Sequence, residues 1–291
     1  MTTECNKTLN NTGVSECPEQ LGIIRTVILF DDKATPEYTG ATDAALTTWI
    51  QAQIHATTKL TRGFPLPIST DIADNNAEPE FVTTGIGLNI YSGIGEKGFT
   101  HTYMQDMQLL PKLAAANGLS LQALLVDDKK QVWGIASTNG YVPLSFTATT
   151  WNGVHRTSSE YAMMMTKFSY LNPDDYNNLR LLGTLTTSIT ALKGLNDVTL
   201  ENVGLATAPV IKLFIDGSDV TSRYSTLLAV KEAWLYDGSN PASKPVYDAT
   251  QVGFKTWGTT AAGKVLQLVD PAVLHALTVP VNNIEGSPLT L

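Results

Sequence analysis

Residues 91–103 read YSGIGEKGFTHTY, and this stretch decides between two classes of fold. Gly93, Gly95 and Gly98 form the pattern G-x-G-x-x-G, which in dinucleotide-binding folds opens a helix whose amide groups face a pyrophosphate. Here the third glycine leads into FTHTY, where aromatic side chains alternate with threonine in the two-residue period of a β-strand. Glu96 would also place a negative charge where the phosphates must bind. We therefore expect a glycine-rich β-hairpin turn and no nicotinamide or flavin cofactor.

Apolar patterns elsewhere in the chain predict an α+β fold that is rich in β-structure. Residues 23–30 are rich in β-branched side chains, and residues 81–91 and 98–104 follow as further strands. Two apolar runs around a charged turn predict a hairpin at 123–136. Residues 43–56 place leucine, tryptophan and isoleucine on one face at helical spacing, which predicts an amphipathic helix packed over a sheet.

The same patterns divide the chain into an arm and two domains. Residues 1–20 form a polar N-terminal arm, and residues 21–185 form a β-rich domain with a long loop at 57–80. Residues 190–291 form a smaller C-terminal β-rich accessory domain, in which residues 222–236 are predicted to be a helix. The loop at 57–80 has no periodicity, and connections of this length are generally functional or disordered. It is therefore the main candidate for an interaction surface.

Composition and charge disfavour several classes of function. The formal net charge is −8, and charged residues make up 16% of the chain, below the ~25% of typical soluble domains. No cluster of Lys and Arg is visible in the sequence, so tight binding of DNA or RNA is not expected. A surface with so few charged residues is typical either of a protein that binds copies of itself or of a Thr-rich β-protein.

Two further features concern the compartment in which the chain is made. No apolar run approaches the ~20 residues of a membrane-spanning helix, and residues 1–11 carry neither the basic nor the apolar part of a secretory signal. We therefore expect synthesis in the cytoplasm and no membrane partner. Cys5 and Cys17 lie in the arm without the further ligands that a zinc site needs. Free thiols and a disulfide both remain open for this pair.

No catalytic pattern is present in the sequence. Asp127 and Asp128 are adjacent carboxylates, but neighbours on a strand point to opposite faces, and their position before two lysines is that of turn residues. The four histidines have no ligand spacing, and no nucleophile elbow or phosphate-binding loop occurs. We expect neither an enzyme nor a metal site.

Several stretches of the chain resemble one family of proteins. They are CNKTLNNTG at the start, GIGEKGFTHTYMQ, LLVDDKKQVWGI, VLQLVDPAVLHAL and the ending NNIEGSPLTL. Together these stretches resemble virion structural proteins of tailed phages and prophages of Bacteroidetes. The layout within that group is similar to major tail, or tail tube, proteins, and the resemblance spans most of the chain.

The resemblance implies a fold, an assembly and a location. The fold is a β-sandwich or partial barrel with a flanking helix, and the assembly is a stack of hexameric rings whose inner strands form a channel. The partners are copies of the chain and other tail or neck proteins, and DNA passes through without specific binding. The protein would be made in the host cytoplasm and end in the virion.

The resemblance also assigns roles to particular residues. A long loop of such proteins reaches the adjacent ring, so the loop at 57–80 supplies candidates for contacts between rings or for the channel lining. These candidates are Arg62, Asp71, Asp74, Glu78 and Glu80. The acidic ones fit a channel that does not grip DNA, although they could also simply solvate a mobile loop. Cys5 and Cys17 are candidates for contacts of the arm on the outside of the tube.

Two other functions stay open from the sequence. One is a different virion part, namely a capsid decoration, neck or stopper protein. The other is a carbohydrate- or receptor-binding β-module, in which Trp133, Tyr141, Trp151 and Trp257 would stack on a ligand. Core packing explains the same aromatic residues equally well.

Overall fold

The computed structural model describes residues 20–83, 85–86, 88–205, 209–229, 233–236, 246–255, 265–277 and 283–290. The chain forms two compact units. Unit 1 consists of Met1–Thr47 with Pro67–Ile189, and unit 2 consists of Thr48–Leu66 with Thr190–Leu291. The predicted ranges were contiguous, whereas here a segment of the first half groups with the second unit. The predicted arm at 1–20 lies outside the described residues except for its last position.

Helices are short and strands predominate in the first two thirds of the chain. The strands are β1 Ile24–Asp31, β2 Phe64–Pro65, β3 Asp71–Asp74, β4 Glu80–Thr83, β5 Asn89–Gly93, β6 Gly98–Met104, β7 Ser120–Asp127, β8 Gln131–Ala136, β9 Tyr141–Val142, β10 Leu144–Val154, β11 Met163–Tyr170 and β12 Leu179–Thr184. The helices are α1 Asp43–Ile54 and α2 Leu109–Ala114, with 3-10 turns at Lys59–Thr61, Pro173–Asn178 and Ile189–Ala191.

Unit 1 is built on one large antiparallel sheet. Its strand order is β12-β8-β7-β10-β11-β6-β3, while β1 pairs with β7 and β9 pairs with β8. The sheet branches at β7, which meets β10 along Ser120–Ala123 and β8 at Leu125 and Val126. The order of paired strands does not close into a barrel. The predicted class, α+β and rich in β-structure with a sandwich-like domain, is confirmed.

The core of unit 1 follows from the two-residue period of its central strands. Along β10, buried and more exposed side chains alternate from Leu144 to Trp151, and β11 shows the same alternation. The buried side is aromatic: the rings of Phe99 and Phe168 lie 5.1 Å apart, and those of Phe146 and Tyr170 lie 4.4 Å apart. Each such side chain contributes about 1.5–3 kcal/mol by leaving water.

Helix α1 is where the sequence predicts a helix, and it ends at Ile54. Leu46, Ile50 and Ile54 recur at the spacing of one helical turn, and all three are buried. Thr42 acts as the N-cap, because its hydroxyl oxygen accepts from the amide of Ala45 at 3.2 Å. The carboxylate of Asp43 accepts from the amide of Thr184, which joins the start of α1 to β12.

Unit 2 carries its own sheets and core. Its later strands are β13 Asn196–Asn202, β14 Val210–Ile215, β15 Ser218–Asp219, β16 Trp234–Tyr236, β17 Val246–Asp248, β18 Gly253–Lys255, β19 Val265–Leu268, β20 Ile284–Gly286 and β21 Leu289–Thr290. Among its described residues, the helices are α3 Thr221–Tyr224 and α4 Pro271–His275. One sheet has the order β17-β18-β14-β13-β20 with β15 on β14, and the other has the order β16-β19-β21.

The helix predicted at 222–236 is wrong. Helix α3 ends at Tyr224, and residues 234–236 form β16, which pairs antiparallel with β19. Trp234 is fully buried in the core of unit 2, where its indole N–H donates to the Leu228 carbonyl oxygen at 2.8 Å. Burial of this large ring and the pairing with β19 outweigh the local helical pattern.

Candidate functional site

Two glycines of GIGEKG, Gly95 and Gly98, allow segments of the backbone of unit 1 to approach each other closely. Strand β5 pairs with β4, whereas β6 pairs with β3 and β11, so residues 94–97 connect two different sheets. The predicted hairpin turn is therefore wrong, although the strand after Gly98 is confirmed. A Cβ at Gly95 or Gly98 would lie under 3.0 Å from a carbonyl oxygen of Glu78 or Phe168, which only glycine avoids.

Glu96 takes part in an ion pair on the solvent side of the sheet. Its carboxylate lies 2.6 Å from the Lys167 ammonium and accepts from the Ser169 hydroxyl at 2.9 Å. The bond from Lys167 and then that from Ser169 lower the pKa of Glu96. The pair cancels the charge of a lysine that lies in the middle of β11.

His101 lies on the buried face of the sheet, opposite to the solvent face that carries Lys167. Its Nε2 donates to the Ile24 carbonyl oxygen at 3.0 Å, and its Nδ1 lies 2.9 Å from the Tyr103 hydroxyl, which donates to it. Burial lowers the pKa of His101 to about 4, and burial also raises the pKa of Tyr103. The pair is a satisfied core network that is closed to solvent.

Asp127 is a buried carboxylate at the end of β7. Its two oxygens accept from the amides of Gly22, Lys129 and Gln131 and from the indole N–H of Trp133, at 2.8–3.2 Å. These donors fix the turn between β7 and β8 and hold the chain that precedes β1. Of the two predicted turn residues, Asp128 lies in the turn, whereas Asp127 is the last residue of β7 and its carboxylate already has four donors.

The prediction that residues 57–80 form a loop without secondary structure is wrong. It contains a 3-10 turn, β2 and β3, and its last residue begins β4. Strand β3 pairs with β6 from Asp71 opposite Thr102 to Asp74 opposite Phe99. This pairing is long-range, so the local period of the sequence does not show it.

The acidic residues of this segment are exposed in unit 1. Asp71 and Asp74 lie on β3, the outermost strand of the sheet, where they accept from the amides of Ile72 and Asn76. Glu78 lies in the connection that follows, and Glu80 is the first residue of β4. The structure therefore brings these four carboxylates to one edge of the sheet and the base of the next hairpin.

Arg62 does not belong to an exposed contact surface. Its side chain is 3% exposed and forms an ion pair with Glu285 within unit 2. Its Nε and Nη2 also donate to the carbonyl oxygens of Ala56 and Thr57. Arg62 was a candidate for contacts between rings or for the channel lining, and both roles are disfavoured because its donors are used inside its own unit.

Strands β4 and β5 form a two-stranded hairpin that we call the apolar hairpin (residues 80–93). The register places Phe81 opposite Tyr91 and Val82 opposite Ile90, so each face of the ribbon carries an apolar pair. The members of this surface are 54–83% exposed: Phe81, Val82, Ile86, Leu88, Ile90 and Tyr91. The sequence predicted one strand over 81–91 and missed the turn, although Gly85 and Gly87 between two apolar runs are a hairpin signal.

A cleft of about 510 Å³ lies at the other end of β6 in unit 1. Its apolar lining comes from Pro67, Ile68, Met104, Met107, Leu109 and Met164. Met104 and Met107 are 58% and 72% exposed at its mouth. The one carboxylate of the lining, Asp106, accepts from the amides of Gln108 and Leu109 and so caps the start of α2. We call this site the methionine cleft.

The aromatic residues considered for ligand stacking are only partly accessible. Trp133 is buried and its indole N–H is bonded to Asp127, so its ring cannot stack on a sugar. Trp151 is 39% exposed on β10, and Tyr141 is half-buried on β9. Trp257, Cys5 and Cys17 lie outside the described residues.

In the part of the chain that the structure describes, no group of three or more His, Cys, Asp and Glu could hold a metal ion. Among those same residues, no helix combines the length and the apolar character that crossing a membrane requires. Neither a comparison with models of protein families nor a search of curated proteins gives a match for this chain.

Proposed function

We propose that this chain is a tail tube subunit of a tailed phage, a virion structural protein that assembles with copies of itself into stacked rings. The observation that carries the proposal is the apolar hairpin. Its six large apolar residues are 54–83% exposed and lie on both faces of the ribbon, so a large apolar surface faces solvent in the single chain. A two-stranded ribbon is marginal in water, so a partner that covers it would stabilise it.

The edges of the large sheet support assembly into rings. Among the strands that the structure describes, β3 and β12 stand at the two ends of the strand order. Asp71 and Asp74 make the β3 edge acidic, and Arg180 is an exposed cation on β12. Neighbours joined head to tail would bring these opposite charges together, and such a heterologous contact closes into a ring if the rotation permits.

The solvent side of the sheet fits a channel that does not hold DNA. Thr149, Lys167 and Thr100 lie in one row across β10, β11 and β6, and Thr147 lies opposite Ser169 in the next row. The charge of Lys167 is cancelled by Glu96. A surface of hydroxyl groups without net positive charge offers phosphates no counterion release, which is the main source of nonspecific affinity for DNA.

The proposal is tested by the size and shape of the purified protein. Light scattering over a wide concentration range, followed by negative-stain imaging of the same fractions, should show rings or tubes with a central hole. A clean monomer at every concentration would contradict the proposal and would favour a decoration protein that needs a capsid lattice.

A variant that lacks the apolar hairpin tests whether assembly depends on this hairpin. Because Glu80 pairs with Gly93, residues 81–92 can be replaced by Asn-Gly, a favoured two-residue turn. We expect this variant to form no stacks of rings. Leu205→Glu, at an apolar residue of unit 2 that is 73% exposed, is the control and should assemble like the unmodified chain. Normal stacking of the hairpin variant would remove the main support for the proposal.

A further inference from the structure

We propose that the methionine cleft of one copy is the receptor for the tip of the apolar hairpin of the next copy. This inference rests on the proposed function and adds the partner surface that the hairpin needs. The tip residues are Ile86, which is 83% exposed, and Leu88, which is 59% exposed. Both surfaces belong to unit 1, so each copy carries one of each.

The hairpin and the cleft lie at opposite ends of β6. The connection at the base of the hairpin leads directly into Gly98, the first residue of β6, while Met104, its last residue, lines the cleft. A strand of this length separates its ends by roughly 20 Å. A donor surface at one end and an acceptor surface at the other give a heterologous contact, which repeats from copy to copy along a stack when its rotation does not close a ring.

The base of the hairpin is fixed at the Gly98 end by several contacts. The amide of Ala77 donates to the Glu96 carbonyl oxygen at 2.7 Å, and the amide of Gly98 donates to the Asn76 side chain at 3.1 Å. The backbone at Gly95 packs directly against Glu78. The hairpin therefore starts from an anchored connection at the end of β6 that lies away from the cleft.

The two surfaces match in chemistry. Residues 81–95 contain no charged side chain. The cleft lining holds a single carboxylate, Asp106, whose oxygen already caps α2. An uncharged apolar tip can therefore enter the cleft without burying an unpaired charge.

The two surfaces also match in size and adaptability. A cleft of about 510 Å³ is in the range that holds a small organic molecule, which suits the tip side chains better than the whole ribbon. Three of the lining residues are methionines, Met104, Met107 and Met164. Unbranched, polarisable methionine side chains adjust to the shape of an apolar partner.

The test uses two charge variants of the full chain, Ile86→Lys in the tip and Met107→Glu in the cleft. Both positions are largely exposed in the single chain, so neither change should affect folding, which circular dichroism and thermal unfolding would verify. Each variant alone should still form rings, but the concentration at which rings stack should rise roughly tenfold or more. Leu205→Glu, with an exposure close to that of Met107, should leave stacking unchanged.

Mixing the two variants distinguishes the proposed contact from a general effect of charge. In an alternating stack, Lys at position 86 of one copy meets Glu at position 107 of the next, and the following contact is unmodified. The mixture should therefore stack at a concentration close to that of the unmodified chain, measured by sedimentation and negative-stain imaging. Unimpaired stacking of Met107→Glu, or failure of the mixture to stack, would overturn the inference.

The outcomes also separate this inference from the proposed function. If the unmodified chain forms no rings or tubes, the proposed function fails. If it stacks and Ile86→Lys blocks stacking while Met107→Glu does not, the function stands and the hairpin docks elsewhere, which overturns the cleft as its receptor.

Discussion

Protonation of His101 should destabilise unit 1, and its surroundings set the size of the effect. The ring is fully buried between β6 and β1. Its Nε2 donates to the Ile24 carbonyl oxygen, and its Nδ1 accepts from the Tyr103 hydroxyl, so the neutral ring satisfies both partners. A second proton would place a positive charge in an apolar core without a carboxylate partner among its hydrogen bonds.

The direction and magnitude follow from the pKa of His101. Burial lowers this pKa from 6.5 to about 4, while the unfolded chain keeps the ordinary value. The unfolded state therefore binds the proton first as the pH falls, and the stabilising contribution is complete above pH 6.5. It is lost between pH 6.5 and about 4, and the total loss is about 3 kcal/mol in the free energy of unfolding. Roughly 2 kcal/mol of this loss should already appear at about pH 5.

The assay compares the unmodified chain with His101→Gln, which removes the titrating group and keeps an amide donor. Urea unfolding at several pH values, read by pulsed hydrogen exchange of peptides from β6 and β11, reports on unit 1 alone. The difference between the two chains isolates His101 from other titrating groups. We expect the variant to lose about 2 kcal/mol less than the unmodified chain on acidification from about pH 7.5 to 5. Parallel losses in the two chains would refute the reasoning.

Three further predictions concern single contacts, and urea unfolding measures each of them. Asp127→Asn should lower the free energy of unfolding of unit 1 by about 2–3 kcal/mol, because an amide nitrogen would face some of its buried donors. Gly98→Ala should cost unit 1 about 1–3 kcal/mol, whereas Gly93→Ala, whose Cβ meets open space, should change it by less than ~0.5 kcal/mol. Glu285→Gln should cost unit 2 about 3 kcal/mol by leaving the Arg62 charge buried without its partner. Equal effects at the two glycines, or a neutral effect at either carboxylate, would contradict these assignments.

The elements with a clear local period were predicted from the sequence. The alternation in FTHTY predicts β6, and the structure begins and ends that strand at Gly98 and Met104. The two apolar runs around Asp127 predict the hairpin of β7 and β8, and the helical spacing from Leu46 to Ile54 predicts α1. In each case one face is buried, so the period of the sequence and the period of burial coincide.

Elements that depend on distant partners could not be predicted in this way. Strand β3 has only four residues, with aspartate at both ends, and exists through its pairing with β6. Arg62 precedes Glu285 by 223 residues, so no local signal shows that its charge is paired and buried. Residues 222–236 have a helical period, yet Trp234 is drawn into a strand by a core that is assembled from distant segments.

In the apolar hairpin, the apolar pattern of the sequence does not correspond to burial within the single chain. Its residues have the apolar, β-branched and aromatic composition of a buried strand, which is why the sequence predicts a single strand over 81–91. The structure leaves Phe81 and Tyr91 exposed on one face and Val82 and Ile90 exposed on the other. The sequence has the apolar pattern of a buried strand, but the single chain leaves these side chains exposed. An exposed apolar patch of this kind is expected where another molecule binds and covers it. The methionine cleft at the far end of β6 is a concave surface that also exposes apolar side chains. A chain that carries both surfaces can bury them by binding copies of itself.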